Sequence, residues 1–167
     1  MPNLKFETID PDRHRDLCIR FRRDSYMSSF TDGNERFDAE NGSDGSGYIE
    51  WLRERINDLP RGCVHGWLDG KIVGQIESRI RDDGTGYVNL FYLVAESRGR
   101  GHGRELHNYV IDIFASLNME FVRLSVSVGN EPALGYYRHL GWNDLGFRPG
   151  RSDTRLFEFD VDTIDST

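Results

Sequence analysis

Tyr87-Val88-Asn89-Leu90-Phe91-Tyr92-Leu93-Val94 runs through a short connection into Arg98-Gly99-Arg100-Gly101-His102-Gly103-Arg104. The first segment is almost wholly apolar or aromatic, as a central strand covered on both faces must be. After the glycines the period changes: Leu106, Val110, Ile113, Phe114 and Leu117 share one face of a helix over about Gly103 to Leu117. A buried strand, a glycine-rich loop and a helix N-terminus therefore follow one another. Alternating glycines let the backbone turn tightly and present its N–H groups, and the helix adds unpaired donors and the positive end of its dipole. Such a nest suits phosphate or pyrophosphate oxygens, with Arg98, Arg100 and Arg104 adding charge at the rim. The same glycines would also suit a loop that merely connects strand to helix. A dinucleotide fingerprint would need G-x-G-x-x-G close to the strand end, and a Walker A loop would need Gly-Lys-Ser/Thr; neither is present.

Outward from this point the chain reads as short, well-punctuated elements. Phe121 to Val128 is a β-branched strand, and Asn130-Glu131-Pro132 opens a helix that closes near Leu140-Gly141. Trp142 to Phe147 and Thr154 to Val161 predict a closing hairpin around Arg148-Pro149-Gly150. Upstream, Cys63 to Leu68 and Lys71 to Arg81 flank Asp69-Gly70, a two-residue hairpin signal. Asp82 to Gly86 turns the chain into the strand at Tyr87. Leu4 to Ile9 alternates as a first strand. Asp10-Pro11 reads as an N-cap with proline at the first helical position, opening a helix that turns Leu17, Cys18 and Phe21 inward. Its arginines Arg13, Arg15, Arg20, Arg22 and Arg23 read as a solvated face. Ile49, Leu52, Ile56 and Leu59 mark another helix, ended by Pro60-Arg61-Gly62. Between these helices, Thr31 to Gly47 reads as a long polar loop carrying Asp32, Glu35, Asp38, Glu40 and Asp44.

The expected order is β-α-α-β-β-β-α-β-α-β-β. Its middle strands form an antiparallel meander, while the strand–helix–strand unit from Tyr87 to Val128 demands a parallel crossover. The fold class is α/β (α+β): a mixed, mostly antiparallel central sheet of about seven strands with about four helices. All 167 residues are expected to form one domain. The net charge of −7 argues against general nucleic-acid binding, which draws on clustered Lys and Arg. No apolar run is long enough to span a membrane. The start of the chain lacks a signal-peptide core, so the cytoplasm is expected. Cys18 and Cys63 have no metal or redox spacing and read as buried thiols; no metal site is expected.

Two motifs in order make a resemblance specific. Leu93-Val94-Ala95-Glu96-Ser97-Arg98-Gly99-Arg100-Gly101-His102-Gly103 resembles the pyrophosphate loop of the GNAT superfamily of N-acetyltransferases. Downstream, Asn130-x-x-Ala133-x-x-x-Tyr137-x-x-x-Gly141-Trp142 is similar to that family's second motif. Ala95 stands where many relatives have proline, and Trp142 where many have phenylalanine.

The resemblance implies acetyl-CoA as acyl donor and an amine-bearing acceptor, small molecule or peptide, in a monomer or homodimer. It places the backbone of Phe91, Tyr92 and Leu93 along the pantetheine arm and acyl carbonyl. Gly99, Arg100, Gly101, His102, Gly103 and Arg104, with Arg98, surround the pyrophosphate. Asn130 meets the pantetheine or caps the helix it opens. Tyr137 becomes the general acid near the thioester sulfur; its alternative is a core aromatic on the helix face of Ala133 and Leu140. Some relatives use a glutamate on the preceding strand as base, but that position here is Ser125. Glu77, His65, the acids of Thr31 to Gly47 and a water chain remain open for that role. Those acids would either attract a cationic acceptor or form a solvated loop. A regulatory module that binds acyl-CoA without turnover is the alternative to an enzyme.

Overall fold

The computed structural model describes residues 3–164. These form a seven-stranded sheet in the order β1-β2-β3-β4-β5-β7-β6. The strands are β1 (Lys5–Thr8), β2 (Cys63–Leu68), β3 (Lys71–Ile80), β4 (Gly86–Leu93), β5 (Phe121–Ser127), β6 (Asn143–Phe147) and β7 (Thr154–Asp160). The helices are α1 (Arg15–Ser29), α2 (Gly33–Asn41), α3 (Ser46–Asp58), α4 (His102–Ser116) and α5 (Glu131–His139). No described helix is long and apolar enough to cross a membrane. Every neighbouring pair of strands is antiparallel except β4 and β5. The hairpin joining β2 to β3 closes at Asp69 and Gly70, with φ of 51° and 77°, the paired left-handed conformation of a two-residue turn.

The sheet carries a helix layer on each face. α4 lays Leu106, Val110, Ile111 and Phe114 against Val88, Val122, Leu124 and Phe157. On the other face, α1 and α3 bury Cys18, Ile49 and Leu52, with Phe21 against Leu90 and Tyr92. The fold class matches the expectation, with one helix more.

That helix is α2, inside the stretch read from sequence as a loop. Its only large apolar side chain, Phe37, is fully buried, 5.5 Å from the ring of Tyr26 and 6.3 Å from that of Tyr48, with the Arg23 guanidinium 4.2 Å above it. Gly33 lies so close to α1 that a Cβ would stand 2.5 Å from the Tyr26 carbonyl oxygen. One aromatic anchor and one close backbone approach make a helix that no periodic pattern signals. Asp10 also departs from expectation: α1 begins only at Arg15, and the Asp10 carboxylate caps the preceding turn by accepting from the Asp12 and Arg13 amides.

A polar network crosses the α1–α3 side of the core. The His65 imidazole donates to Gln75 Oε1 at 2.7 Å. The Gln75 amide donates to the Tyr48 hydroxyl at 2.9 Å and to Glu77 Oε2 at 2.8 Å. Tyr48 donates to the same carboxylate oxygen, and Arg22 reaches Glu77 Oε1 at 3.1 Å. Arg22 is thus a core ion-pair partner, not part of the solvated face expected for it.

Burial drives the pKa of His65 down to about 4, the Gln75 bond opposing it only in part. The unfolded chain therefore binds a proton at His65 that the folded chain refuses between about pH 6.5 and 4, so folding weakens as pH falls through that window. We expect this group to remove about 1.4 kcal/mol of stability per pH unit there. Urea unfolding at pH 7 and pH 4.5 checks it: a folded His65→Gln variant must show the shallower loss, and an equal loss in both proteins contradicts the assignment.

Candidate active site

β4 and β5 pair for only three positions, Gly86 with Val122, Tyr87 with Arg123 and Val88 with Leu124. Beyond Val88 they part. On its other edge β4 stays paired with β3, matching Gln75 to Tyr92, Ile76 to Phe91 and Gly74 to Leu93, and the Val94 amide donates to the Val73 carbonyl at 2.8 Å. Bonded and non-bonded pairs alternate along an antiparallel ladder. Tyr92 therefore shares its backbone bonds with β3, while Phe91 and Leu93 turn their peptide groups toward the gap that β5 has left. A half-extended row of backbone donors and acceptors faces a cleft.

The parting follows a bulge. The β3–β4 register shifts between Glu77 and Ser78, which pair with Leu90 and Val88 and leave Asn89 over. Arg22 Nη1 donates to the Asn89 carbonyl at 3.0 Å while holding Glu77 at 3.1 Å. One buried guanidinium thus supplies the bond that the ladder denies to the extra residue.

The cleft encloses about 860 Å³. Of the residues singled out in the sequence, Phe91, Tyr92, Leu93, Arg98, Gly99, Gly101, Gly103, Arg104, Asn130 and Tyr137 line it. Gly99 and Gly101 have φ of 75° and 89°, and a Cβ at either would meet nothing within 4 Å. Both therefore need glycine for conformation, and both open on free space at the N-terminus of α4. Arg98 Nε donates to the Leu93 carbonyl at 2.9 Å, tying the loop to the end of β4. Arg100 is exposed and outside the lining. His102, expected near the phosphate, is turned inward: it is 5% exposed and bonds Glu105, whose other oxygen accepts from the Leu4 amide at 3.0 Å. Asn130 caps α5, its side chain accepting from the Ala133 amide at 3.3 Å.

Tyr137 projects from α5 into the cleft among aromatic rings, 6.1 Å from Phe91, 5.8 Å from Trp142 and 5.7 Å from Tyr136. Burial raises its pKa well above the usual phenol range, with Tyr136 adding to the shift. The hydroxyl therefore stays protonated and able to donate. Below it, the Trp142 indole donates to His107 Nε2 at 2.9 Å. An indole N–H can only donate, so that nitrogen carries a lone pair, and burial lowers the His107 pKa, consistent with a neutral ring.

Sequence reasoning missed His107, Tyr136 and the α1 hydroxyls Ser25, Ser28 and Ser29, all in the lining. For His107 a signal existed, since it falls one residue beyond Leu106 on the apolar face of α4. Glu77 and His65 lie outside the cleft, buried, with the Glu77 carboxylate and His65 Nε2 hydrogen-bonded. The acids of the first inter-helix segment are outside it too. Asp32 pairs with Arg36 and Asp38 with Arg23, each at 3.0 Å, and Glu40 accepts from Tyr26. Among the described residues no three His, Cys, Asp or Glu side chains are grouped to hold a metal ion.

If Arg22 holds the bulge, truncating it leaves Glu77 charged and buried; Arg22→Met should cost about 3–5 kcal/mol. Arg22→Met/Glu77→Met should recover most of that loss. Denaturant unfolding of the three proteins checks this, and a single-variant loss below about 1 kcal/mol contradicts the role.

The model of the acetyltransferase (GNAT) family matches residues 21–142. Among solved structures, Ard1 from Thermoplasma volcanium superposes with a TM-score of 0.73 at 16% identity, over 96% of this chain and 99% of that one. Arabidopsis thaliana Naa50, in complex with a bisubstrate analogue CoA-Ac-MVNAL, gives 0.65 at 16% identity, over 95% and 99%. PaiA N-acetyltransferase from Thermoplasma acidophilum, in complex with coenzyme A, gives 0.65 at 18% identity, again over 95% and 99%.

Proposed function

The chain belongs to the GNAT acetyltransferase family, and from that premise we propose that it is an acetyl-CoA-dependent N-acetyltransferase, working as one domain and passing the acetyl group directly to an amine. The observation that carries this reading is the cleft itself. It joins a glycine nest at a helix N-terminus to unpaired backbone of β4, with one protonated phenol between. Acetyl-CoA supplies an activated acyl group as a thioester.

The roles follow from chemistry. Gly99, Gly101 and Gly103 offer backbone donors to the pyrophosphate, with Arg98 and Arg104 at the rim. The peptide groups of Phe91 and Leu93 bind the pantetheine arm by strand-like hydrogen bonds, and an N–H of that row polarises the acyl carbonyl. Asn130, engaged as the α5 cap, shapes the wall without being spent on the cofactor. Tyr137 donates its proton to the departing thiolate. The acceptor nitrogen must lose a proton, and with Glu77 and His65 outside the cleft we assign that proton to solvent. His107, held by Trp142, keeps the floor neutral.

Two variants separate these roles. A folded Gly101→Glu protein should bind CoA at least tenfold more weakly by calorimetry, because a side chain there needs a positive φ and stands over the nest; unchanged affinity would remove the pyrophosphate from this loop. Tyr137→Phe keeps the ring packing and removes its one proton. At saturating acetyl-CoA, with chemistry rate-limiting, kcat should fall about 10²-fold, the low end for a positioned acid because a thiolate leaves readily. Melting temperature and CoA affinity should hardly move. Full kcat in this variant would make Tyr137 a packing residue, and CoA binding without thiol release by the parent protein would favour a regulatory module.

A further inference from the structure

Two tyrosines stand next to each other on α5, and the chemistry above uses only Tyr137. Tyr136 lines the same cleft. Successive residues of a helix point about 100° apart, so the two side chains serve different parts of it. Their rings lie 5.7 Å apart at an interplanar angle of 60°.

The Tyr136 hydroxyl reaches across to the first turn of α4. A Cβ on Gly103 would meet that hydroxyl oxygen at 2.8 Å and the ring carbon bearing it at 3.5 Å. Gly103 is therefore a glycine for a different reason from its neighbours. Gly99 and Gly101 take positive φ, whereas Gly103 lies within α4 and does not. The missing side chain makes room for the phenol.

Around that phenol the structure gathers hydrogen-bond donors and offers no acceptor side chain. His102, Gly103 and Arg104 open α4, and the amides of a first helical turn have no intrahelical partner. The amide of Glu105 is the first of the helix to bond back, to the Gly101 carbonyl at 3.3 Å. Arg104 lines the same wall. Burial raises the Tyr136 pKa and the Arg104 charge opposes the rise, so the hydroxyl keeps its proton at neutral pH. That hydroxyl has no hydrogen-bond partner among the described residues. Glu105, the acid of this turn, is engaged by His102 and the Leu4 amide. Among the described residues no Asp or Glu lines the cleft.

We propose that the Tyr136 hydroxyl donates a hydrogen bond to a phosphate oxygen of bound acetyl-CoA, so that α5 supplies a direct pyrophosphate ligand facing the α4 nest. The inference rests on the N-acetyltransferase reading above and adds a side chain to its cofactor site. Consecutive residues of one helix then divide the acyl donor between them, Tyr137 at the leaving sulfur and Tyr136 at the pyrophosphate. The phosphates are held from both sides, by main chain of α4 and by a phenol of α5.

The test compares the full-length protein with Tyr136→Phe. The substitution keeps the ring beside Tyr137 and removes a hydroxyl that bonds nothing in the folded chain, so the melting temperature should hold. By calorimetry the CoA dissociation constant should rise at least about tenfold, as for a lost hydrogen bond to a charged group. Acetyl-CoA KM should rise by a similar factor while kcat at saturation stays within about twofold, the reverse of the pattern expected for Tyr137→Phe. In phosphorus NMR the pyrophosphate resonances of bound CoA should differ between variant and parent. Unchanged CoA affinity in the folded variant overturns the inference and leaves the acyl-donor site standing. Weaker binding with unmoved pyrophosphate resonances also overturns it, because the hydroxyl then serves another part of the molecule. Failure of the parent protein to bind CoA brings down the acetyltransferase reading and the inference with it.

Discussion

Two parallel strands that bond to each other and then separate leave peptide groups without partners in the middle of a sheet. β4 and β5 do this after Val88 and Leu124, and an unpaired buried N–H or C=O is costly unless something else bonds it. The strand edge at Phe91 to Leu93 is thus poised to accept an extended ligand. Arg98 already takes one of its carbonyls. The glycine nest lies at the end of the same edge, so one continuous surface of backbone donors and acceptors reaches from the sheet interior to a helix N-terminus. In this account the donor half of the site is built from main chain, and side chains serve mainly to keep that main chain exposed.

Keeping it exposed needs support from both faces. On one face Arg22, anchored by Glu77, bonds the carbonyl of the bulge residue Asn89. The bulge redirects the strand, and the buried network through Tyr48, Gln75 and His65 fixes the carboxylate that fixes the arginine. On the opposite face an aromatic group occupies the space beneath the parted strands. His107 stands 5.2 Å from Phe159 and 5.9 Å from Trp142, with Tyr137 beside them. The wedge is apolar apart from the Trp142–His107 bond. It also surrounds the Tyr137 hydroxyl with low-dielectric material, which raises the pKa of a phenol already protonated at neutral pH.

What was legible in the sequence divides along the same physical line. Glycines that must have positive φ, a two-residue hairpin turn, and periodic apolar faces are local demands on residue type, and they located β2, β3, β4, α4 and the nest. The glycine spacing marked the loop, but only the structure shows that Gly99 and Gly101 take positive φ while Gly103 enters α4. Long-range choices were not legible. Arg22 is one of four arginines on α1, and only the fold tells which meets a buried carboxylate. Glu77 reads as a free acid on a strand and proves to be the anchor of a core network. His102 carries the letter of a phosphate-loop residue, yet its side chain is captured by Glu105 one turn on. α2 was hidden because its stability comes from a single buried phenylalanine and a tight backbone crossing, neither of which makes a pattern.

The central claim is that bound donor runs along exposed backbone of β4 and the α4 nest. Amide hydrogen exchange, followed residue by residue with and without saturating acetyl-CoA, tests it directly. The account predicts new protection concentrated at Phe91, Leu93 and Gly99 to Arg104, with Tyr92 changing little because its amide already bonds across β3. Protection absent from these amides while acetyl-CoA is bound, or concentrated instead along the outer β6 edge or β1, would contradict it.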